Sequence, residues 1–137
     1  AQNFFPLTKN EAEAKKYADM LLAMVSKFEN SWNYGNVLHY AHLSLGRVHL
    51  FHDRVNDSKA ELLMAAETKG SPQLNSFGPN MTLAKELIGR GETAEVLKYI
   101  DSCLRFWKGQ NAGRDTKKWK DAISAKRNPD FGSNLVY

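Results

Sequence analysis

The sequence predicts an all-α protein made of antiparallel helical hairpins that stack against one another. Along most of the chain, apolar residues recur every three or four positions, which is the spacing that one face of a helix requires. Short segments rich in Gly, Pro, Asn and Ser separate these stretches. No stretch alternates apolar and polar residues for long enough to predict a β-strand.

The composition excludes several classes of protein. The 137 residues are enough for one domain with its own core. No stretch of about 18 apolar residues occurs, so the sequence contains no candidate transmembrane helix. One cysteine, Cys103, leaves no intramolecular disulfide and no all-thiolate metal site, and its apolar neighbours predict a buried thiol.

The net charge of +4 lies entirely at the C-terminal end. Residues 1–100 hold eleven basic and eleven acidic side chains, whereas residues 101–137 hold eight basic and four acidic ones. A uniformly basic protein that binds nucleic acid over its whole surface is therefore not indicated.

The first two helices are predicted from capping signals and apolar stripes. Thr8 and Glu11 form a capping box that begins a helix over residues 8–29. A second helix begins between residues 33 and 36 and ends near His52. Its apolar residues form two stripes, which indicates a helix packed between two others.

Four further helices are expected. A capping box formed by Ser58 and Glu61 predicts a helix over residues 58–68, which Gly70 and Pro72 end. The segment 73–79 is expected to be irregular. Helices then follow over residues 81–88, 92–108 and 115–127, the last capped by Asp115, and an extended tail covers residues 128–137. Two glycosylation triplets begin at Asn56 and Asn80, and both are interpreted as helix caps.

A pattern of small and large apolar residues recurs with a spacing of 38 residues. It is carried by Leu45, Gly46, Ala60, Met64, Pro72, Leu83, Ala84, Val96, Ile100 and Cys103. Gly46 and Ala60 are expected to let neighbouring helices approach closely, and Met64 to fill the remaining space. The pattern resembles the tetratricopeptide repeat, and the linker after residue 70 is similar to that of bacterial tetratricopeptide-like proteins.

The resemblance implies a short tetratricopeptide-like α-solenoid and a bacterial source. It places one unit at residues 36–72 and a second at 80–110, with the helices over 8–29 and 115–127 as caps of a single domain over residues 1–127. The sequence departs from the family in two places. The turn at 53–57 is about two residues longer, and the second unit has no closing proline.

All four histidines lie on the second helix, at His39, His42, His49 and His52. Histidines three residues apart share one face of a helix, so a pair of them is a weak candidate for binding a metal ion. His42 and His49, however, occupy positions at which the repeat normally packs aromatic rings. Packing is the favoured interpretation, and no cofactor is expected.

No arrangement of catalytic residues is recognisable. The sequence contains no nucleophile elbow, phosphate-binding loop, His-Glu-x-x-His motif or dinucleotide-binding fingerprint. We therefore expect a protein that is not an enzyme.

Two regions are candidates for binding a partner. The basic C-terminal segment offers the side chains of Arg105, Lys108, Arg114, Lys117, Lys118, Trp119 and Lys120. Basic and aromatic residues together suit nucleic acid or another anionic polymer, although packing of Trp119 and solvation of the lysines is the favoured interpretation. In the linker 71–80, Leu74 and Phe77 either pack on the core, which is favoured, or contact a partner.

These observations predict a non-enzymatic module for protein–protein interaction or self-assembly, of tetratricopeptide type. The alternatives are binding of nucleic acid or an anionic polymer through the basic segment, and metal binding through the histidine-rich helix. The tail, which ends at Tyr137, is expected to dock on a neighbouring subunit. The N-terminal residues, without Met, slightly favour a periplasmic or secreted protein over a cytoplasmic one.

Overall fold

The computed structural model describes residues 34–135, together with Lys15, Lys16, Asp19, Met20 and Ala23. Within this part of the chain it contains six α-helices and no β-strand, which confirms the all-α prediction. The helices are α1 (Tyr34–Phe51), α2 (Val55–Ala65), α3 (Pro72–Phe77), α4 (Thr82–Gly89), α5 (Thr93–Cys103) and α6 (Ala112–Ser124). A 3-10 helix spans Gly132–Leu135. None of the helices described here is long and apolar enough to cross a membrane.

The helix predicted over residues 8–29 lies outside the described residues, except for five positions that are helical. Among these five, Lys15 and Asp19 form an exposed ion pair of 2.8 Å, one helical turn apart. Tyr137 also lies outside the described residues.

Helices α1 and α2 form an antiparallel hairpin. The ring of His39 contacts the carbonyl oxygen of Ala65 at 2.9 Å, and Gly46 lies beside Ser58, so residue numbers rise in opposite directions along the two helices. A Cβ atom on Gly46 would collide with the side chain of Leu83 on α4. Gly46 therefore permits a close approach between helices, as the sequence predicted.

Helix α4 lies along α1 in the same direction. The backbone amide of Asn80, just before α4, donates to His39 Nε2 at 3.1 Å. Further along both helices, Arg47 donates to both carboxylate oxygens of Glu86 at 2.8 and 3.1 Å. This bidentate pair fixes the two helices by geometry as well as by charge.

Helix α5 lies along α2, again in the same direction. Lys59 on α2 contacts Glu92 just before α5 at 3.1 Å and Glu95 within it at 3.7 Å. Beyond the other ends of both helices, Arg105 Nη2 donates to the carbonyl oxygen of Ala66 at 2.9 Å. The α4–α5 pair therefore packs beside the α1–α2 hairpin with matching helix directions.

One continuous cluster of buried apolar residues joins the six described helices. The repeat positions that lie fully inside it are Leu83, Ala84, Val96, Ile100 and Cys103. Leu45 and Met64 are only partly buried. Burial also raises the pKa of the Cys103 thiol, which keeps it protonated and confirms the buried cysteine.

The role predicted for Ala60 is wrong. Helix α2 begins at Val55 and turns Ala60 toward solvent, so this residue is exposed. The small residues that α2 buries are Ser58 and Ala65, and the buried Ala66 follows just beyond its C-terminal end. Close contact with α1 therefore involves Gly46 and Ser58, not Ala60.

Three helix boundaries differ from the prediction. The capping box at Ser58 is wrong, because α2 begins three residues earlier and the buried Ser58 hydroxyl has no hydrogen-bond partner among the described residues. Helix α6 begins at Ala112, so Asp115 lies in its first turn and is not its cap. Helix α5 ends at Cys103 because a turn at residues 104–106 follows it.

The two glycosylation triplets have different environments. Asn80 is buried, and its Oδ1 accepts a hydrogen bond from the amide of Thr82 at 2.9 Å in the turn before α4. The N-cap of α4 is Met81, so the prediction that Asn80 caps this helix is wrong. Asn56 lies exposed inside the first turn of α2, where it does not cap the helix.

Candidate functional site

Two segments, residues 66–80 and 102–111, pack against each other and form the surface that we call the linker seam. Hydrogen bonds join the two segments at more than one point along their length. Arg105 bonds to the carbonyl oxygen of Ala66, and the amide of Lys108 donates to the carbonyl oxygen of Asn75 at 2.8 Å. The seam thus joins the end of the α1–α2 hairpin to the end of α5.

The linker contains a short helix, so the prediction of an irregular segment over 73–79 is wrong. Ser71 caps α3, because its Oγ accepts a hydrogen bond from the amide of Leu74 at 3.1 Å. Pro72 occupies the first helical position, where its missing amide costs nothing. Pro72 therefore begins a helix and does not close a repeat. Ser71 also donates to Asn36 on α1 at 2.6 Å, which ties α3 to the hairpin.

Two glycines allow the segments of the seam to touch. Gly78 has a φ of +86°, and a Cβ atom there would lie 2.6 Å from Cδ2 of Trp107. A Cβ atom on Gly109 would collide with the carbonyl oxygen of Ser76, which also accepts from the Trp107 indole at 3.4 Å. Both positions require glycine, because any side chain would separate the linker from Trp107.

His39 holds the inner end of the linker. Its Nε2 accepts from the amide of Asn80 at 3.1 Å, so its Nδ1 carries the proton and donates to Ala65 at 2.9 Å. Only the neutral ring can make both bonds. Burial lowers the pKa of His39 to about 4, with a smaller lowering from His42. The phenol of Tyr99 donates to the carbonyl oxygen of Asn80 at 2.8 Å, which adds a contact from α5.

The tail holds the outer side of the linker. The amide nitrogen of Asn134 donates to the carbonyl oxygens of Phe77 and Pro79 at 3.1 and 2.9 Å, and its backbone oxygen accepts from Met81 at 2.8 Å. The expectation of an extended tail is therefore wrong for residues 132–135, which form the 3-10 helix Gly132–Leu135 and pack on the protein's own linker. The buried carbonyl oxygens of the linker require hydrogen-bond donors, and the side-chain amide of Asn134 supplies them, which holds the tail against the linker.

Phe77 is exposed although the linker around it is fixed. Leu74, one turn earlier in α3, is fully buried, whereas 60% of the surface of Phe77 remains accessible to solvent. The expectation that both side chains pack on the core is confirmed for Leu74 and wrong for Phe77. The bonds to its neighbours fix the backbone from which the ring of Phe77 projects.

Three exposed cations lie on the linker seam: Lys69, Arg105 and Lys108. Arg105 donates to the carbonyl oxygens of Ser102 and Ala66, and Lys108 Nζ donates to that of Leu104 at 3.3 Å. Carbonyl oxygens orient these side chains without neutralising them. Among the described residues, no carboxylate pairs with any of the three.

Three of the four basic side chains of α6 have carboxylate partners. Lys117 contacts Asp121 at 2.8 Å, and Lys120 contacts Asp101 on α5 at 2.7 Å. The hydrogen bond to Asp121 raises the pKa of Lys117. Arg114 lies 3.5 Å from Asp115, and Lys118 is exposed. The cations predicted as one site therefore divide into three α6 side chains that pair with carboxylates, Lys118 on α6 without such a partner among the described residues, and the uncompensated group on the seam.

Trp119 is buried, as the favoured interpretation predicted. Only 3% of its surface is exposed, and its ring stacks on Trp107 with a centroid distance of 5.5 Å. Phe131 meets it edge-on at 5.1 Å, and its indole donates to the carbonyl oxygen of Asp130 at 3.1 Å. Neither Trp107 nor Trp119 presents a face to a base or a sugar.

The four histidines make separate contacts. His42 contacts Glu61 at 2.6 Å, His49 Nδ1 accepts from Arg54 at 3.0 Å, and His52 is exposed at the end of α1. His39 alone is fully buried. Across residues 34–135 and the five earlier positions, no three His, Cys, Asp or Glu side chains are placed to hold a metal ion.

Sequence reasoning missed four residues that shape the seam: Lys69, Gly78, Asn80 in its backbone role, and Asn134. The combination of Ser71 with Pro72 is a recognisable signal for a helix start and would have revealed α3. The pairing of Asn134 with the linker, more than 50 residues away, has no local signal.

Comparisons with known proteins give no further constraint. No family model matches the chain, and neither the curated proteins nor the solved structures contain a match. The function is therefore inferred from the geometry of the linker seam.

Proposed function

We propose that this protein is a non-enzymatic protein-interaction module and that it contacts its partner through the linker seam. The observation that carries the proposal is the exposed ring of Phe77 on a linker whose backbone is fixed from both sides. Aromatic side chains on defined loops supply much of the binding free energy at protein interfaces.

The fixed linker favours binding because its backbone loses little further conformational entropy when a partner binds. His39 and Tyr99 hold Asn80 from the core, and Asn134 holds the carbonyl oxygens of Phe77 and Pro79 from the tail. A mobile loop would lose conformational entropy on binding, which reduces affinity. Here that loss has largely occurred during folding.

The proposal includes a tetratricopeptide-like arrangement of the helices. Its support is the geometry of two helix pairs, α1–α2 and α4–α5, that pack side by side with matching directions. The contacts from Arg47 to Glu86 and from Lys59 to Glu92 join equivalent helices of the two pairs. Stacked helix pairs of this kind typically serve as binding scaffolds.

The experiment compares two exposed phenylalanines. Phe77→Ala removes the ring from the seam, whereas Phe51→Ala removes an equally exposed ring, 56% accessible, at the C-terminal end of α1. The full-length chain and both variants are immobilised and exposed to an extract of the source cells. Any retained protein is then purified, and its affinity for all three chains is measured by calorimetry.

We expect a partner that binds the wild-type chain and Phe51→Ala equally. Its affinity for Phe77→Ala should be about thirtyfold lower, which corresponds to about 2 kcal/mol for loss of an aromatic anchor. Thermal melting must give the same midpoint for both variants, because both side chains are exposed. Equal binding to Phe77→Ala and Phe51→Ala would contradict the proposal.

A further inference from the structure

Only one of the seam residues, Glu67 at its N-terminal edge, carries a carboxylate. The sequence holds no Asp or Glu between Glu67 and Glu86, and none between Asp101 and Asp115. The fold brings these two acid-free segments together, with Lys69, Arg105 and Lys108 along their contact. The tail, residues 128–137, contains one acid, Asp130, and no base.

The charges of the seam are available to a ligand. The acceptors of Arg105 and Lys108 are backbone carbonyl oxygens, and the exposed side chain of Lys69 forms no ion pair within the described part of the chain. Asp130 uses Oδ1 to accept from the amide of Gly132 at 3.0 Å. A carboxylate brought to the seam would therefore meet cations that no other carboxylate already occupies.

We infer that the linker seam binds an acidic polypeptide segment that carries at least one large apolar side chain. The apolar side chain covers Phe77, and flanking Asp or Glu residues lie against Lys69, Arg105 and Lys108. This inference rests on the proposed function and specifies the chemistry of the partner. Such a division, with an apolar centre and charges around it, is typical of protein interfaces.

A nucleic acid fits this surface less well. Single-stranded nucleic acid requires several aromatic faces along a basic groove. The seam exposes one ring, Phe77, whereas Trp107 and Trp119 are buried against each other. Three cations would also neutralise only about three phosphates, which gives weak binding at physiological salt.

The test uses an array of synthetic peptides of about 12 residues, in which acidic content and apolar content vary independently. The probe is the full-length chain with a fluorescent label. An oligothymidylate of similar length is included as the nucleic-acid competitor. We expect the retained peptides to contain both Asp or Glu and Leu, Phe or Trp.

Two charge-reversed variants locate the binding surface. The double variant Lys69→Glu with Lys108→Glu reverses the seam, and the control Lys117→Glu with Lys118→Glu changes the net charge equally on α6. We expect the seam variant to bind the best peptides at least about tenfold more weakly. The control should remain within about twofold, because Lys117 and Lys118 lie outside the seam on α6 and salt screens their charges.

The outcomes separate the inference from the proposed function. Equal losses for both double variants would show a net-charge effect and overturn the inference. Retained peptides that are apolar but not acidic, or the absence of any retained peptide, would also overturn it, while the Phe77 comparison independently decides the proposed function. Tighter binding of the oligothymidylate than of the peptides would overturn the inference in favour of nucleic acid.

Discussion

The linker seam and the outer face of α6 are both basic, but their cations differ in the groups that they contact. On α6, Lys117, Lys120 and Arg114 lie beside carboxylates at 2.8, 2.7 and 3.5 Å. On the seam, Arg105 and Lys108 donate only to backbone carbonyl oxygens. Carboxylates of the protein therefore pair with most cations of α6, whereas the seam cations have no such partner among the described residues.

The backbones of the two regions differ as well. The seam is built around Gly78, whose positive φ and contact with Trp107 leave no room for a side chain. Gly113, in the first turn of α6, has open space where its Cβ would lie. The comparison teaches that the number of basic residues in a segment does not identify a binding surface. The two surfaces differ in whether carboxylates pair with their cations and in how rigid the backbone is. Both properties depend on the fold.

The largest effect is expected from a methyl group at these glycines. Gly78→Ala forces an L-residue to a φ of +86° and against the Trp107 indole, so we expect a loss of about 3 kcal/mol in the free energy of unfolding. Gly113→Ala should be neutral or should stabilise the chain by about 0.5–1 kcal/mol, because alanine favours a helix. Denaturant unfolding measures both, and a similar loss in the two variants would remove the contrast between the regions.

A smaller effect is expected from pH, through His39. The folded-state pKa of about 4 lies below the 6.5 of an unperturbed histidine, so the folded chain binds fewer protons than the unfolded chain. The contribution of His39 to the free energy of unfolding is therefore fully present above pH 6.5 and is lost as the pH falls toward 4. Between pH 6.5 and pH 5 this group should remove about 2 kcal/mol.

The variant His39→Gln isolates this contribution. It should be less stable than the wild type at pH 7 but should lose about 2 kcal/mol less on acidification, because glutamine does not titrate. His52→Gln, at an exposed histidine, should follow the wild type. Denaturant unfolding at several pH values decides the matter, and identical pH dependence in His39→Gln and the wild type would refute the role given to the buried ring.

The sequence was sufficient where local patterns dictate structure. Apolar residues at helical spacing predicted α1 and α4 closely, and Gly46 was recognised as a point of close approach. The capping box at Ser58 failed because the same residue types also occur inside helices, where burial and the preceding turn determine the start. The prediction for Ala60 was wrong for the same reason, because a different start of α2 changes which of its residues face the core.

The candidate site could be predicted only in part. Phe77, Arg105 and Lys108 were identified as candidates from residue type alone, but so were the cations of α6. Which of these cations have a carboxylate partner depends on the contacts that the fold makes. Asp101, for example, contacts Lys120, which lies 19 residues away in the sequence. Contacts of this kind arise from helix packing and leave no local signal in the chain.

Hydrogen–deuterium exchange of the full chain, with and without the partner identified by the Phe77 comparison, tests the central claim most directly. If the linker seam is the binding surface, added protection will be confined to amides of residues 66–80 and 102–111, and α6 will exchange as before. Protection centred on α6, around Lys117 and Lys118, with none in the seam, would contradict the account.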